Sequence, residues 1–206
     1  MGDLAAAEHE AELAAGVRRF GAAFFHPVCA ACRECVPIRV PVREFRPSRT
    51  QRRVWRKNAD LEVQVGEPWV NEERLDLYRR FHRDRQARRG WPAQEIDPLE
   101  YFSIFVDNCV PTLEFRYRLG GRLVAVAYVD ESPSALNSIY AFTDPALAGR
   151  RLGTYDILAE IEEASRRGKE HLYLGYYVAD CTSMAYKRAF RPCELLINGS
   201  WVRRAE

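Results

Sequence analysis

The sequence has no apolar run approaching the length of a membrane helix, so no helical membrane span is expected. It has no basic leader followed by an apolar stretch. Met1-Gly-Asp-Leu-Ala-Ala-Ala-Glu8 carries acids where a secretion signal carries cations. Internal repeats and low-complexity linkers are absent. Cysteine is scarce, six in 206 residues, and three of the six fall in one short stretch. That is too few and too clustered for a disulfide-stapled domain, and a reducing cytoplasm is the expected compartment. A large net charge is also missing: 31 basic residues oppose 29 acidic ones, giving +2. The balance names no partner, but the distribution is uneven. What is present excludes a disordered chain, because 47% of residues are apolar and 12% aromatic. The length suits one good-sized core, or a main domain with a small appendage.

Residues 3–16 are Ala/Glu-rich and read as a short helix stopped by Gly16. Residues 26–47 hold three cysteines and four prolines, and the prolines in Val36–Val42 predict an edge strand or irregular segment. Ser48-Arg-Thr-Gln51 reads as a capping box opening a helix to about Asn58. Leu61–Val65 alternates as a strand does. Residues 71–88 read as an Arg-rich helix with Leu75, Leu77, Tyr78 and Phe81 inward, and Asp97-Pro98 starts another. Pro111–Leu119, Arg122–Asp130 and Ala135–Phe142 are three strands, the first two joined by a Gly120-Gly121 hairpin. Thr154–Arg167 is amphipathic, with Ile157, Leu158, Ile161 and Ala164 on one face and Glu160 and Glu163 elsewhere. Strand 171–178, a short helix at Met184–Phe190 and a strand at Glu194–Ile197 close the chain. The class is α+β, with a mixed, mostly antiparallel sheet flanked by helices, and the element order resembles an N-acyltransferase domain. Residues 1–47 form a helix and Cys-rich segment ahead of a domain at 48–206.

Arg46–Lys57 is the densest basic stretch and contains no acid. On a helix Arg49, Arg52, Arg53 and Arg56 fall at i, i+3, i+4 and i+7, which makes one face arginine. Fixed positive charge with bidentate donors and no internal acid suits phosphate, against the alternative of a solvated face. The second basic helix contains Asp76 and Asp84, so internal pairing is expected there. His26-Pro-Val-Cys29-Ala-Ala-Cys32-Arg-Glu-Cys35 spaces soft ligands at steps of three. Cys29, Cys32 and Cys35 are therefore candidate zinc or iron–sulfur ligands, or else small packing residues, while Cys109, Cys181 and Cys193 stand apart. Gly149-Arg-Arg-Leu-Gly153-Thr resembles the pyrophosphate loop of acetyl-CoA-dependent acetyltransferases. Arg150 and Gly153 match its pattern, whereas Tyr155 replaces a small residue and is expected to crowd a phosphate. Gly175 breaks an aromatic strand, which suggests a bulge or close approach.

Five ordered blocks carry a wider resemblance: Cys29-x-x-Cys-x-x-Cys35, Arg39-Val-Pro-Val42, Phe45–Arg53, Tyr173-Leu-Gly-Tyr-Tyr177 and Met184–Pro192. In this order they resemble the aminoacyl-tRNA–protein transferases, bacterial aspartate/glutamate leucyltransferases and arginyl-tRNA–protein transferases among them. The resemblance implies an acetyltransferase-like fold that takes charged tRNA instead of acetyl-CoA. It implies transfer of leucine or arginine to the N-terminal α-amine of a peptide or protein acceptor, one starting with Asp or Glu. Aminoacyl-tRNA is then the co-substrate, and no other cofactor is required. Members usually begin with a further segment bearing Cys-x-Tyr-Leu-Pro, which this chain is expected to lack. On this reading Arg49, Arg52, Arg53 and Arg56 contact tRNA phosphates, with Arg150 and Gly153 at the residual loop. Tyr176 and Tyr177 donate to the tetrahedral oxygen or orient the amine. Lys187 holds the tRNA terminus or an acceptor carboxylate, and Asp180 takes the amine proton. The rival expectations are a CoA-dependent N-acetyltransferase and a non-catalytic RNA-binding or metal-sensing module.

Overall fold

The computed structural model describes residues 3–204. Helix α1 (Asp3–Ala14) stops where Gly16 takes φ +87°. A Cβ on Gly16 would lie 2.8 Å from Leu196 and 2.9 Å from Pro37, so only glycine fits that turn. A short hairpin of β1 (Arg18–Phe20) and β2 (Ala23–Phe25) follows, which the sequence pattern did not predict. Next come β3 (Val36–Pro41), α2 (Arg49–Lys57), β4 (Glu62–Gly66), α3 (Glu72–Arg89) and α4 (Pro98–Tyr101), which runs into a π-helical turn. Strands β5 (Thr112–Leu119), β6 (Arg122–Glu131) and β7 (Ala135–Thr143) precede α5 (Leu152–Arg166) and β8 (His171–Tyr177). Then follow α6 (Thr182–Ala185), a 3-10 turn at Tyr186–Ala189, β9 (Cys193–Ile197) and β10 (Ser200–Arg204).

Eight strands form one sheet in the order β10-β9-β3-β8-β7-β6-β5-β4. Every neighbouring pair is antiparallel except β7 and β8, which run parallel, as an intervening crossover helix requires. The fold is thus the mixed, mostly antiparallel α+β sheet that the pattern implied. Strand β3 is not an edge: it lies between β9 and β8. Its prolines are tolerated because Pro37 falls at a bulge against β8 and Pro41 ends the strand, while only Ile38 and Arg39 pair with β9. Val36–Pro41 therefore belongs to the same sheet as the strands after residue 48.

Both faces of the sheet are covered. Strand β6 sends Val124, Ala127 and Val129 into a core shared with α2 and α5, and Leu123, Val126 and Tyr128 into a second core under α3 and α4. The capping box forms: Ser48 Oγ accepts from Gln51 N, and Gln51 Oε1 accepts from Ser48 N at 2.8 Å. Gly120 and Gly121 both take positive φ, as a tight hairpin demands. Helix α5 lies against β7 and β8 and packs on α2. Covered from two sides, it buries more than one stripe. Glu160 is fully buried and Glu163 nearly so, which corrects the expectation that they lie off the core face.

Candidate active site

Pairing between β7 and β8 covers only Ala135/His171, Leu136/Leu172 and Asn137/Tyr173. Beyond those residues β7 continues to Thr143 on β6 and β8 to Tyr177 on β3 without pairing to each other, so the sheet opens as a V. Arg18 of β1 enters the opening and donates to Asn137 Oδ1 and to Ser138 O. Gly175, at φ +78°, makes room: a Cβ there would lie 3.2 Å from Arg18 Nη2. The close approach expected at Gly175 is thus made by a side chain of the same chain. Burial pulls the Arg18 guanidinium down to about 10, although Asp130, Tyr176 and Glu160 favour its charge.

Two carboxyls of α5 lie beneath this mouth. Asp156 Oδ1 accepts from Tyr117 OH at 2.6 Å, and Glu160 Oε1 accepts from Ser138 Oγ at 3.0 Å. Burial pushes both carboxyls up, and the Asp156 charge pushes Glu160 further. Neither acid was singled out from the sequence. Two like charges at i, i+4 amid apolar residues were the available signal, because such a pair is unfavourable on an exposed helix face.

The residues expected at the site divide. Tyr176 donates its hydroxyl to Gly16 O at 3.0 Å, tying the N-terminal segment to β8, and so is not free to donate to an oxyanion. Tyr177 is half-buried against the main core. Lys187 sits in the turn after α6 and donates to Tyr176 O at 3.0 Å. Burial, with repulsion from Arg18, lowers its ammonium to about 8. Asp180 is exposed in the turn after β8.

The arginines of α2 are exposed and have no acidic partner among the described residues. Arg49, Arg53 and Arg56 line one groove with Thr50. Arg53 and Arg56 also line a second groove of about 670 Å³ with Lys57, Gly149, Arg150 and Arg151. Arg52 is outside both and donates to Pro47 O at 2.6 Å, which separates it from the other three. Arg150 pairs with Asp60 at 2.7 Å. A third groove, about 660 Å³, joins Arg151 and Gly153 at the start of α5 to Arg85, Arg88 and Arg89 at the end of α3. The expected internal pairing on α3 is present, Arg80 with Asp76 at 2.8 Å and Arg88 with Asp84 at 2.7 Å. The α3 terminus still adds to the basic band. Gly149 and Gly153 face open space. Tyr155 turns inward, 5% exposed, with its ring 5.0 Å from Trp55 and 5.8 Å from Tyr117. It does not crowd the loop, and the argument against CoA that rested on it falls.

Cys29 and Cys32 are exposed in a one-bridge turn, and burial together with the thiols of Cys29, Cys32 and Cys181 pushes the Cys35 thiol up. Cys181 thus belongs to the neighbourhood of this loop, contrary to its apparent isolation in sequence. Among the described residues no group of three or more cysteine, histidine or acidic side chains is placed to hold a metal ion. The three cysteines, as arranged, do not fit zinc or a cluster.

A parallel pair opening into a V within a mostly antiparallel sheet, beside a helix start facing open space, defines an acetyltransferase-like fold. Solved structures agree at the level of fold. The structure of L-PGS from Bacillus licheniformis has TM-score 0.54 at 11% identity, covering 75% of this chain and 49% of that one. FemX has TM-score 0.54 at 9% identity, covering 89% and 63%. The family is narrower. The profile of the arginine-tRNA-protein transferase C terminus matches residues 73–197, and that of its N terminus matches residues 3–53. An aspartate/glutamate leucyltransferase of Pseudomonas fluorescens (strain Pf0-1) is 43% identical over 188 residues, 91% of this chain and 79% of the relative. That of Pseudomonas aeruginosa (strain LESB58) is 40% identical over the same shares. The chain belongs to the arginine-tRNA-protein transferase family. Among the described residues no helix is long and apolar enough to cross a membrane.

Proposed function

We propose that this chain transfers leucine from leucyl-tRNA to the α-amine of a protein or peptide that begins with aspartate or glutamate. The observation that carries the reading is the arginine band, without acidic partners on α2, in a chain 43% identical to an aspartate/glutamate leucyltransferase. The ester of a charged tRNA is already activated, so the protein must chiefly hold two reactants in line and stabilise the tetrahedral oxygen. Arg49, Arg53 and Arg56 meet the tRNA backbone as fixed cations, and Arg150, Arg151 and Gly153 extend the track along the start of α5. Arg52 borders the track from the side. The aminoacyl end reaches the V between β7 and β8. Lys187 keeps two ammonium donors beyond its bond to Tyr176 O and holds the side-chain carboxylate of the acceptor. Tyr177 orients the acceptor chain, and Asp180 stands at the exposed rim where the acceptor enters.

A matrix of leucyl- and arginyl-tRNA against peptides starting with Asp, Glu, Arg or Lys, read by mass, tests this. A leucine added only to the Asp and Glu peptides is the expected result. Arginine added instead corrects the donor. No product from any tRNA, with acetyl transfer from acetyl-CoA in its place, overturns the reading.

A further inference from the structure

Arg151 is shared by two grooves: the one along α2, and the one of about 660 Å³ between the end of α3 and the start of α5. The second falls in the range of about 300–1,000 Å³ that holds a small ligand, room for roughly one or two nucleotides. The two acids in its lining are already neutralised. Asp144 takes Arg122 at 2.5 Å and Arg80 at 3.0 Å, and Asp84 takes Arg88 at 2.7 Å. Arg89 and Arg151 are exposed and have no acidic partner among the described residues, so the groove keeps positive charge to spare. It is aromatic as well. Phe81 lines it, with the Arg85 guanidinium carbon 4.7 Å from the ring centre. Gly90 caps α3 at φ +65° and turns the chain back, so that Trp91 packs on the helix it has just left. The Trp91 ring lies 6.3 Å from Phe81 and 5.9 Å from His82, and 37% of the residue stays open to solvent. Two rings thus hold the indole in place before anything binds, which spares a ligand the cost of ordering it. The groove also reaches Thr143, the last residue of β7, and so lies at the splayed end of the V.

We propose that this groove holds the unpaired 3′ end of the charged tRNA, with one base stacked on Trp91 and its phosphates held by Arg89 and Arg151. This rests on the aminoacyl-transfer reading and adds to it a second RNA site of a different kind. Along α2 the one ring, Trp55, is turned onto Tyr155, so that face offers charge alone, which suits the backbone of a paired stem. In a duplex the base faces are covered by their neighbours, and an exposed indole finds nothing to stack on. An unpaired end presents base faces and phosphates together, and stacking on an aromatic ring tolerates any base. An acidic acceptor peptide would use the cations and leave Trp91 idle. The two grooves meet at Arg151, so a strand leaving the stem passes that residue, crosses the α3 groove and ends at the V, where its ester is needed. Coenzyme A carries a base and phosphates too, and the test separates the two sources.

The test uses the full chain and uncharged tRNA, either intact or shortened by its unpaired 3′ nucleotides, so that the two probes differ in that end alone. Fluorescence anisotropy reads the affinity. Trp91→Ala is expected to bind intact tRNA about 5- to 150-fold more weakly, the range of one lost base stack, with an unchanged salt slope. Trp91→Phe keeps a ring and is expected to recover most of that loss. Arg89→Ala is expected to flatten the slope by about 0.7, the share of one single-strand phosphate. None of these variants should lose affinity for the shortened tRNA, whereas the double alanine variant of Arg53 and Arg56 should lose it on both probes. Wild-type affinity of Trp91→Ala for intact tRNA overturns the proposal, and so does an equal loss on both probes, which would give the groove to the stem. Coenzyme A that displaces intact tRNA from the wild type and not from Trp91→Ala gives the groove to that cofactor and overturns it as well. Should Trp91→Ala fail to fold, Arg89→Ala, at an exposed side chain, decides alone by the same comparison. A wild type that binds no tRNA and transfers no leucine overturns the transfer reading and this proposal together; the other failures, with leucyl transfer intact, overturn the proposal only.

Discussion

Replacing Arg53 and Arg56 together by alanine isolates the electrostatic part of tRNA binding. Both side chains are exposed, both line the two grooves along α2, and neither has a carboxylate partner among the described residues. Their removal breaks no ion pair, and exposed sites of this kind change stability by only about 0.5 kcal/mol each. If each arginine neutralises one duplex phosphate, the slope of log K against log salt flattens by about 1.8. Between about 50 and 200 mM salt, two such contacts account for about a 12-fold loss of wild-type affinity that the variant does not suffer. Fluorescence anisotropy of labelled leucyl-tRNA over that range measures the slope, and a thermal scan confirms the fold. Arg52→Ala is the internal comparison, because its guanidinium is held by Pro47 O outside both grooves. Its slope is expected to stay near that of wild type. A double variant with the wild-type slope and an intact fold refutes the placement of tRNA along α2. A double variant that first loses melting temperature refutes the premise that these side chains are structurally idle.

Three further outcomes follow from single contacts. The Lys187 ammonium, lowered to about 8, is charged below that pH and neutral above it, so KM for an Asp-starting peptide should climb as pH passes 8; Lys187→Met should raise KM at neutral pH and abolish that climb, and an unchanged profile removes Lys187 from acceptor binding. Gly175→Ala places a methyl against Arg18 at a left-handed φ, which should cost about 1–2 kcal/mol from the backbone alone in chemical denaturation, and a neutral result would show that the V relaxes freely. Ser48→Ala removes the accepting half of the capping box and should lower stability by about 1 kcal/mol, seen as a fall in Tm of about 2–4 °C; no fall would mean that packing against α5 and the bond from Gln51 to Ala189 O fix the start of α2.

The sequence by itself determined what depends on neighbours along the chain. The Ser48–Gln51 cap, the Gly120-Gly121 hairpin, the inward face of α3 and, without Arg52, the arginine face of α2 are set by residues within one or two turns of each other, and each is present. The five ordered blocks were legible for the same reason, since they are runs of adjacent residues. Tertiary structure decided what depends on distant partners. Proline chemistry placed β3 at an edge, but only the sheet order puts it inside, with its prolines at a bulge and an end. Tyr155 stood where a phosphate loop wants a small residue, yet Trp55 and Tyr117 draw it into the core. Tyr176 looked available until Gly16 O, 160 residues away, claimed its hydroxyl. The V between β7 and β8 has no local signature at all, because it is the absence of pairing between strands joined through α5. Arg18 reaches Asn137 across 119 residues to line that opening. Glu160 was hidden for a related reason. A helical stripe predicts one buried face, and α5 is packed by the sheet on one side and α2 on the other. The Glu160 carboxyl is met from the sheet side by Ser138 of β7 and Arg18 of β1, which no period within fifteen residues records.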